Sequence, residues 1–376
     1  MFQSQHSMLP VATHDEFARQ EFCASLRKLF TTNLWPGCRE LYNKRLLPLF
    51  RQRHGRDPQS ADEVFALMRE SFYFRGTELL GRTTQEMVWD NVGESIERQL
   101  DELNAKAKVK PSRRELGSLR LNPDMPMPRY MQAVDIHVMP GNFHTDRSTD
   151  DVYAGALYDR GVYVFSFGGL GALNDNYGHS IAEFLKERFP KFKPRRILEI
   201  GCGPGMATIP VAQAYPRAEM HAIDLGAPQL RYAHARAESL RSPVHFSQQD
   251  ACHMDFPDAH FDLVYSIIVT HECPRPVLRS MLKEIHRVLK PGGIMLHDGY
   301  FDPPPQVPLE EVMNTWFARN ANEPFSRGFR RFDFKKAFAV AGFEPESQFS
   351  GTREAVYLKG HLPPVSFVGA IKAAET

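Results

Sequence analysis

The fold is decided by residues 196–205, which read RILEIGCGPG. The apolar run at the start predicts a buried strand, and the glycines after it let the backbone turn sharply and approach a ligand closely. A dinucleotide-binding loop has the spacing G-x-G-x-x-G. Counted from Gly201 and Gly203, its third glycine would fall at Met206. The chain has Gly205 instead, which argues against a dinucleotide and leaves another adenosine-containing ligand as the expectation.

Outward from this loop, strand-like apolar runs alternate with amphipathic helical patterns. The alternation predicts a parallel sheet covered by helices on both faces. Right-handed crossovers then place a ligand at the carboxyl ends of the strands. Strands are predicted at 196–200, 219–223, 244–247, 261–268 and 293–297, and helices at 180–188, 206–214, 228–240 and 275–289.

Four further motifs follow the glycine loop in order. The second strand ends in Asp224, and the third leads to Asp250. The fourth strand begins FDLVYS at 261–266, and the helix after it runs into RVLKPGG at 287–293. Together with the pattern E-x-G-x-G-x-G at 199–205, this series resembles the class I (Rossmann-like) S-adenosylmethionine-dependent methyltransferases.

The resemblance covers about residues 180–300 and implies an enzyme that uses S-adenosyl-L-methionine as its cofactor. It also implies an α/β fold with a seven-stranded, doubly wound, mostly parallel sheet. Further strands are expected at 344–349 and, antiparallel, at 365–371, with a helix at 333–341.

The resemblance gives roles to residues at the strand ends. A carboxylate at the place of Glu199 helps hold the cofactor's amino group, the acid at Asp224 can accept both ribose hydroxyl protons, and Asp250 lies near the adenine amino group. Taken singly, these acids could equally be a solvent-facing charge or a helix cap. Cys202 is expected to pack and not to act as a nucleophile, and Ser266 could contribute only backbone. The expected cofactor-binding residues are Tyr177, Glu199, Gly201, Cys202, Gly203, Gly205, Asp224, Leu225, Asp250, Ala251 and Ser266.

The candidate catalytic residues follow the fourth and fifth strands. A sulfonium methyl group transfers by in-line attack, so a nucleophile must be held about 3 Å from the methyl carbon. His271 and Glu272 follow the fourth strand, where this family lines the acceptor pocket, and could position or deprotonate an acceptor. His297 ends the fifth strand at the same edge. Each of the three could instead serve packing.

A polar segment outside the core, at 135–144, reads DIHVMPGNFH. Asp135, His137 and His144 carry side chains that could bind a metal. A rigid Pro-Gly turn with hydrogen-bonded polar residues is the favoured interpretation, and no residue is assigned as a metal ligand. The segment could also form a substrate lid, as could the aromatic and amide residues Trp316, Phe317, Asn320, Asn322, Glu323 and Phe325.

Two parts are expected along the chain. Residues 1–150 form a mainly helical N-terminal region that acts as a lid or in dimerisation, and residues 151–376 form the methyltransferase domain. Dense prolines at about 105–129 disfavour regular structure there. Helical spacing of apolar residues is seen in the groups Leu26, Leu29, Phe30 and Leu34; Val64, Phe65, Met68, Phe72 and Phe74; and Trp89, Val92, Ile96, Leu100 and Leu103.

Composition limits the partners. The formal net charge of the 376 residues is +1, which disfavours nucleic acid as a partner. No apolar run is long enough to span a membrane, and the five cysteines include no CxxC pair, so the cytoplasm is the expected compartment. A small-molecule acceptor is expected as substrate. Apolar faces on the N-terminal helices would permit a homodimer.

The acceptor atom is left open between oxygen and nitrogen. One alternative is a C-methyltransferase assisted by a metal near His137 and His144. A second is a protein that binds S-adenosylmethionine without catalysis. A nucleic-acid methyltransferase is disfavoured because residues 266–269 read SIIV, where such enzymes carry an N/D-P-P-Y/F motif.

Overall fold

A computed structural model of the protein describes residues 3–108, 116–299, 307–354 and 364–374. Within them lies an eight-stranded sheet with the order β1-β4-β3-β2-β5-β6-β8-β7. The six strands from β1 to β6 pair in parallel, and β8 is antiparallel to both of its neighbours. The strands are β1 (Ser118–Arg120), β2 (Arg196–Ile200), β3 (Glu219–Asp224), β4 (His245–Gln248), β5 (Phe261–Ile267), β6 (Leu289–Gly299), β7 (Gln348–Arg353) and β8 (Val365–Ile371).

The predicted doubly wound parallel sheet is confirmed, with one strand more than the seven expected. The additional strand, β1, lies in the proline-rich stretch where irregular structure was predicted. It pairs with the edge of β4, and a Cβ atom on Gly117 would lie 2.0 Å from the carbonyl oxygen of Val244. A strand of three residues is too short to show periodicity, so only this close pairing reveals it.

The strand predicted at 344–349 begins later than expected. Residues Pro345–Ser347 form a single 3₁₀ turn, and β7 therefore starts at Gln348. The expectation for the last strand is confirmed, because β8 covers 365–371 and runs antiparallel between β6 and β7.

Helices cover both faces of the sheet. On one face, Ile197 of β2 packs with Ile181, Val211 and Leu230, which come from three different helices. On the other face, Leu198 packs with a stripe of the amphipathic helix after β5. The successive residues Ile197 and Leu198 thus point into the hydrophobic clusters on opposite faces of the sheet, as expected for a strand buried on both sides. With helices numbered in chain order, those that cover the sheet are α9 (Asn176–Arg188), α10 (Thr208–Ala214), α11 (Ala227–Ser239), α12 (Arg275–Val288) and α16 (Phe334–Ala341).

The N-terminal part of the chain is helical, as predicted. Its longest helix packs against the first helix of the chain and against the helix at Tyr153–Phe165, around the buried side chain of Trp89. None of the helices in the described ranges combines the length and the apolar character needed to cross a bilayer. The helices are α1 (His14–Leu29), α2 (Trp35–Leu41), α3 (Leu47–His54), α4 (Ala61–Arg69), α5 (Phe72–Glu97), α6 (Leu100–Lys108), α7 (Arg129–Gln132) and α8 (Tyr153–Phe165), and, after β6, α13 (Pro308–Asn314), α14 (Trp316–Asn320) and α15 (Ser326–Phe329).

A buried ionic cluster joins the N-terminal segment to the glycine loop. Asp159 of α8 accepts a hydrogen bond of 2.9 Å from Tyr232, and its carboxylate lies 3.1 Å from His6 Nε2 and 3.3 Å from Arg236 Nε. Arg236 also donates to the carbonyl oxygen of Gly205 over 3.0 Å. Burial opposes the charge of Asp159, but Arg236 and His6 outweigh it and lower its pKa to about 2.

Replacement of Asp159 by alanine should strongly destabilise the fold. The substitution leaves the guanidinium of Arg236 buried without its carboxylate partner, which costs about 3–5 kcal/mol. We expect a clear decrease in the urea midpoint of unfolding, followed by circular dichroism. The control is Asp255→Ala, which breaks an ion pair with Arg120 whose two side chains are 76% and 59% exposed, so the midpoint should hardly move. Equal midpoints for the two variants would contradict the role of the cluster.

Candidate active site

The glycine loop after β2 is fixed by its backbone conformation. Gly201, Gly203 and Gly205 have φ values of +67°, +50° and +75°, in the left-handed region that favours glycine. A Cβ atom at Gly201 would lie 2.3 Å from Val269 Cγ2, so the loop is in direct contact with the turn after β5. At Gly203, the nearest atom to a Cβ among the described residues is Gln229 Oε1 at 4.0 Å, so no described side chain fills the space on this side of the loop.

Asp224, at the end of β3, holds the loop in place. Its two carboxylate oxygens accept hydrogen bonds of 2.8 Å from the N–H groups of Gly203 and Gly226. Burial raises the pKa of Asp224. The next residue, Leu225, uses its carbonyl oxygen to accept a hydrogen bond of 2.9 Å from Gln248 at the end of β4. The carboxyl ends of β2, β3 and β4 are thereby tied together.

Glu199 is buried near the end of β2, two residues before Gly201. Its carboxyl accepts hydrogen bonds from Thr208 Oγ1 at 2.5 Å and from Tyr265 Oη at 3.0 Å. Both partners are neutral, and burial raises the pKa of Glu199 to about 8. Burial also raises the pKa of the Cys202 thiol well above its ordinary value, which agrees with a packing role and not with a nucleophilic one.

The remaining expected cofactor residues lie along the same edge or behind it. Asp250 caps the next turn by accepting a hydrogen bond of 2.8 Å from the N–H of Cys252, and Ala251 packs on the core. Asp250 also lines a groove of about 400 Å³ with Arg120, Met125 and other residues. Tyr177, in the first turn of α9, is half-buried against the core on the other face of the sheet.

His297 and Ser266 are paired with each other inside the sheet. The distance between Ser266 Oγ and His297 Nδ1 is 2.6 Å, and both side chains are fully buried. Burial lowers the pKa of His297 to about 4, so the imidazole is neutral near pH 7. The next residue, Asp298, is also buried, and its pKa is raised well above the ordinary value.

His271 and Glu272 belong to a cluster with His137 and Glu323. Glu272 Oε1 lies 2.8 Å from His137 Nε2 and 3.2 Å from His271 Nε2. On the other side of its ring, His137 Nδ1 lies 3.0 Å from Glu323 Oε1. Burial opposes the positive charge of His137, but Glu272 and Glu323 outweigh it and raise its pKa to about 10. The two histidines in turn hold the pKa of Glu272 well below its usual range.

The backbone around His137 is held by the longest N-terminal helix. His137 and Val138 have φ values of +57° and +54°, which is costly for residues other than glycine. The carbonyl oxygen of His137 accepts hydrogen bonds from Gln85 Nε2 at 2.7 Å and from Trp89 Nε1 at 2.8 Å. These two bonds from α5 keep the imidazole turned toward the turn after β5.

The metal candidates named from the sequence do not converge. His144 Nε2 is directed to the carbonyl oxygen of Met131 at 3.1 Å, and the carbonyl oxygen of Asp135 accepts a hydrogen bond from Asn322. Only His137 of the three joins the cluster. Sequence reasoning assigned Glu323 to a lid and missed its contact with His137, because nothing in the local sequence of either residue indicates the other.

Part of the chain is similar to known methyltransferases. A family model described as "Methyltransferase domain" matches residues 197–293. Residues 197–293 are therefore a methyltransferase domain, and the motifs within them are those of the class I, S-adenosylmethionine-dependent type. The malonyl-[acyl-carrier protein] O-methyltransferase of Halorhodospira halophila is 33% identical over 165 residues, which are 43% of this chain and 54% of that protein. A sterol 24-C-methyltransferase of Gibberella zeae is 36% identical over 101 residues, which are 26% of each chain.

Among solved structures, the phosphoethanolamine N-methyltransferase 2 of Haemonchus contortus in complex with S-adenosyl-L-methionine is 18% identical. The structural match covers 57% of this chain and 57% of that one, with a TM-score of 0.42. The chain spans about half the length of the malonyl-[acyl-carrier protein] O-methyltransferases that it matches.

The raised pKa of Glu199 should make cofactor binding depend on pH. A pKa of about 8 leaves the carboxyl mainly protonated at pH 7 in the free protein, and we expect an ammonium group of S-adenosylhomocysteine held by Glu199 to favour the ionised form. Binding should therefore release a proton at pH 7, and affinity should increase as the pH rises toward 8 and level off above it. Calorimetry in buffers of different ionisation enthalpy counts the protons. In Glu199→Gln this release should vanish, and a count near zero in the unmodified protein would contradict the prediction.

Proposed function

We propose that the protein is a methyltransferase that moves the methyl group of S-adenosylmethionine to an oxygen or nitrogen of a small or medium-sized organic acceptor. The observation that carries this proposal is the contact between Gly201 and Val269. Through it, the turn that bears His271 and Glu272 rests directly on the glycine loop. Groups able to position or deprotonate an acceptor therefore lie beside the loop that would hold the donor.

The residues present fit the cofactor. S-adenosylmethionine supplies an electrophilic methyl group on a sulfonium. Glu199 would accept hydrogen bonds from its ammonium group, a role that suits a buried carboxyl whose described partners are neutral. Asp224 would bind the ribose hydroxyls with the oxygen lone pairs that the backbone N–H groups do not use. The open side of Gly203 leaves room for the chain of the cofactor, and Asp250 would lie at the adenine end.

The acceptor would enter between this edge and the N-terminal region, residues 1–150. His137, from that region, reaches Glu272 across the boundary, and the segment 316–325 provides Glu323 on the other side. The two segments are also tied directly, because Asn322 Nδ2 donates to the carbonyl oxygen of Asp135. We assign to these residues the walls of the acceptor pocket, with 316–325 as its lid.

A carbon acceptor is the second candidate. Its support is the sterol 24-C-methyltransferase among the similar proteins. Incubation with methyl-tritiated S-adenosylmethionine and a panel of acceptors distinguishes the cases. The panel contains malonyl-acyl carrier protein, a fatty acid, a catechol, a primary amine and a sterol. Labelled ester, ether or methylamine supports the proposal, and base-stable label on carbon supports the second candidate. Tight cofactor binding without transfer to any of the panel would indicate a binding protein and contradict both.

The substitution Gly203→Arg tests the cofactor site. Its side chain would enter the open space beside the loop, so binding of S-adenosylhomocysteine should be abolished while the fold is retained. The matched control is Gly292→Arg, in the irregular part of β6 between Leu289 and Ile294, where φ is also positive, at +75°, and no atom of the described residues lies within 4 Å of a Cβ. This control should bind normally. Normal binding by Gly203→Arg, measured by calorimetry, would exclude the assigned site.

Substitution of Glu272 by glutamine tests the acceptor side. The change removes a charge from the cluster without altering its size, and the transfer rate should decrease about 10²–10⁴-fold if Glu272 positions or deprotonates the acceptor. Affinity for S-adenosylhomocysteine should stay the same. The control is Glu346→Gln, an exposed residue in the turn before β7, which should retain full activity. An unchanged rate in Glu272→Gln with the acceptor found in the panel would remove this residue from the mechanism.

A further inference from the structure

Three metal-ligating side chains from distant parts of the sequence meet beside the glycine loop. His137, His271 and Glu323 each offer one ligand atom, and these atoms all lie within 4.8 Å of one another. The side chains are 19%, 7% and 5% exposed. We propose that they bind one divalent transition-metal ion, which holds an oxygen atom of the acceptor. This inference rests on the proposed function for its role in methyl transfer, but not for the binding of the metal itself.

The donor atoms suit a transition metal. Two imidazole nitrogens and one carboxylate oxygen form the ligand set of catalytic zinc and of open non-haem iron sites. Ligands at about 2.1 Å from one ion are about 3 Å apart from each other, which matches the 3.0 Å between His137 Nδ1 and Glu323 Oε1. Three protein ligands leave at least one coordination position open for an acceptor.

Glu272 completes the site from outside. Histidines that bind a metal commonly donate their second ring N–H to a carboxylate, which fixes the tautomer and the orientation of the ring. Glu272 Oε1 lies 2.8 Å and 3.2 Å from the Nε2 atoms of His137 and His271, so one carboxylate can serve both rings. Nδ1 is then the nitrogen with which each imidazole would bind the metal. For His137, the metal would replace the proton that otherwise joins Nδ1 to Glu323.

An ordinary buried ion pair explains less of this arrangement. One histidine and one carboxylate would satisfy each other, whereas here two carboxylates contact the ring of His137 and a second imidazole, that of His271, contacts one of those carboxylates. Within the described residues, Glu272 Oε2 is also buried and accepts no hydrogen bond. The left-handed conformation of His137 and Val138 is a further cost at this point, and such strain persists where the surrounding structure enforces it at a site.

The location makes an oxygen acceptor the expected class. The turn that carries His271 contacts the glycine loop through Val269, so the proposed metal would lie beside the region assigned to the donor. A divalent ion there would bind a hydroxyl or carboxyl group and lower the pKa of a coordinated hydroxyl. We therefore expect acceptors that carry an oxygen able to coordinate a metal, and we expect simple amines to be poor substrates.

Metal binding tests the proposal without any acceptor. The full chain, purified without a metal-affinity tag and treated with a chelator, is titrated with Zn²⁺ and with Mn²⁺ by calorimetry. We expect one equivalent of at least one of these ions to bind. Glu323→Gln and His271→Ala each remove a ligand and should weaken binding more than about 100-fold, whereas Glu272→Gln should weaken it about 10–100-fold. The control is His144→Ala, a histidine outside the cluster, which should bind like the unmodified protein.

Binding of S-adenosylhomocysteine is measured on the same samples. It should be retained in every variant, which shows that each has folded. Absence of stoichiometric metal binding in the unmodified protein would overturn the inference, as would equal metal affinity in His271→Ala and His144→Ala. If the unmodified protein does not bind S-adenosylhomocysteine, the proposed function is overturned, whereas the measured metal binding remains valid.

Discussion

The ion pair between Asp159 and Arg236 is the interaction on which the arrangement of the site depends. It places a negative charge from α8 against a positive charge from α11, in surroundings where neither is exposed to water. Because Arg236 also binds the carbonyl oxygen of Gly205, the same guanidinium that neutralises Asp159 fixes the far end of the glycine loop. The position of the loop is thus coupled to the packing of the helices outside the sheet.

The parallel sheet could be predicted because its signals are local. A buried strand, a glycine loop with a fixed spacing and an amphipathic helix each occupy a short stretch, and α12 shows its buried stripe in the sequence alone. The reliance on local signals also explains why β1 was missed and why the start of β7 was placed too early. The strand β1 is defined by its partner β4 and not by its own residues, and the 3₁₀ turn at Pro345 shifts β7 without changing its apolar pattern.

The candidate site was predictable on one side only. The residues at the ends of β2 and β3 follow from motif spacing, and the structure places Asp224 against the N–H of Gly203. The other side is assembled from segments that are remote in sequence. His137 was visible as a histidine in a Pro-Gly segment, but its direction is set by hydrogen bonds from Gln85 and Trp89. Such long-range contacts produce no periodic pattern in the sequence. The sequence therefore made His144 as good a candidate metal ligand as His137.

The position of β8 has a consequence for the order of assembly. This strand lies between β6 and β7, so β7 has no partner within the sheet until the chain has been synthesised through Ile371. Until then, the hydrogen-bonding edge of β6 is open, with Met295 and Leu296 beside it. An open edge of this kind can pair with another chain. Among the strands of the described residues, β8 is synthesised after all the others, and its pairing with β6 covers the edge that could otherwise pair with another chain.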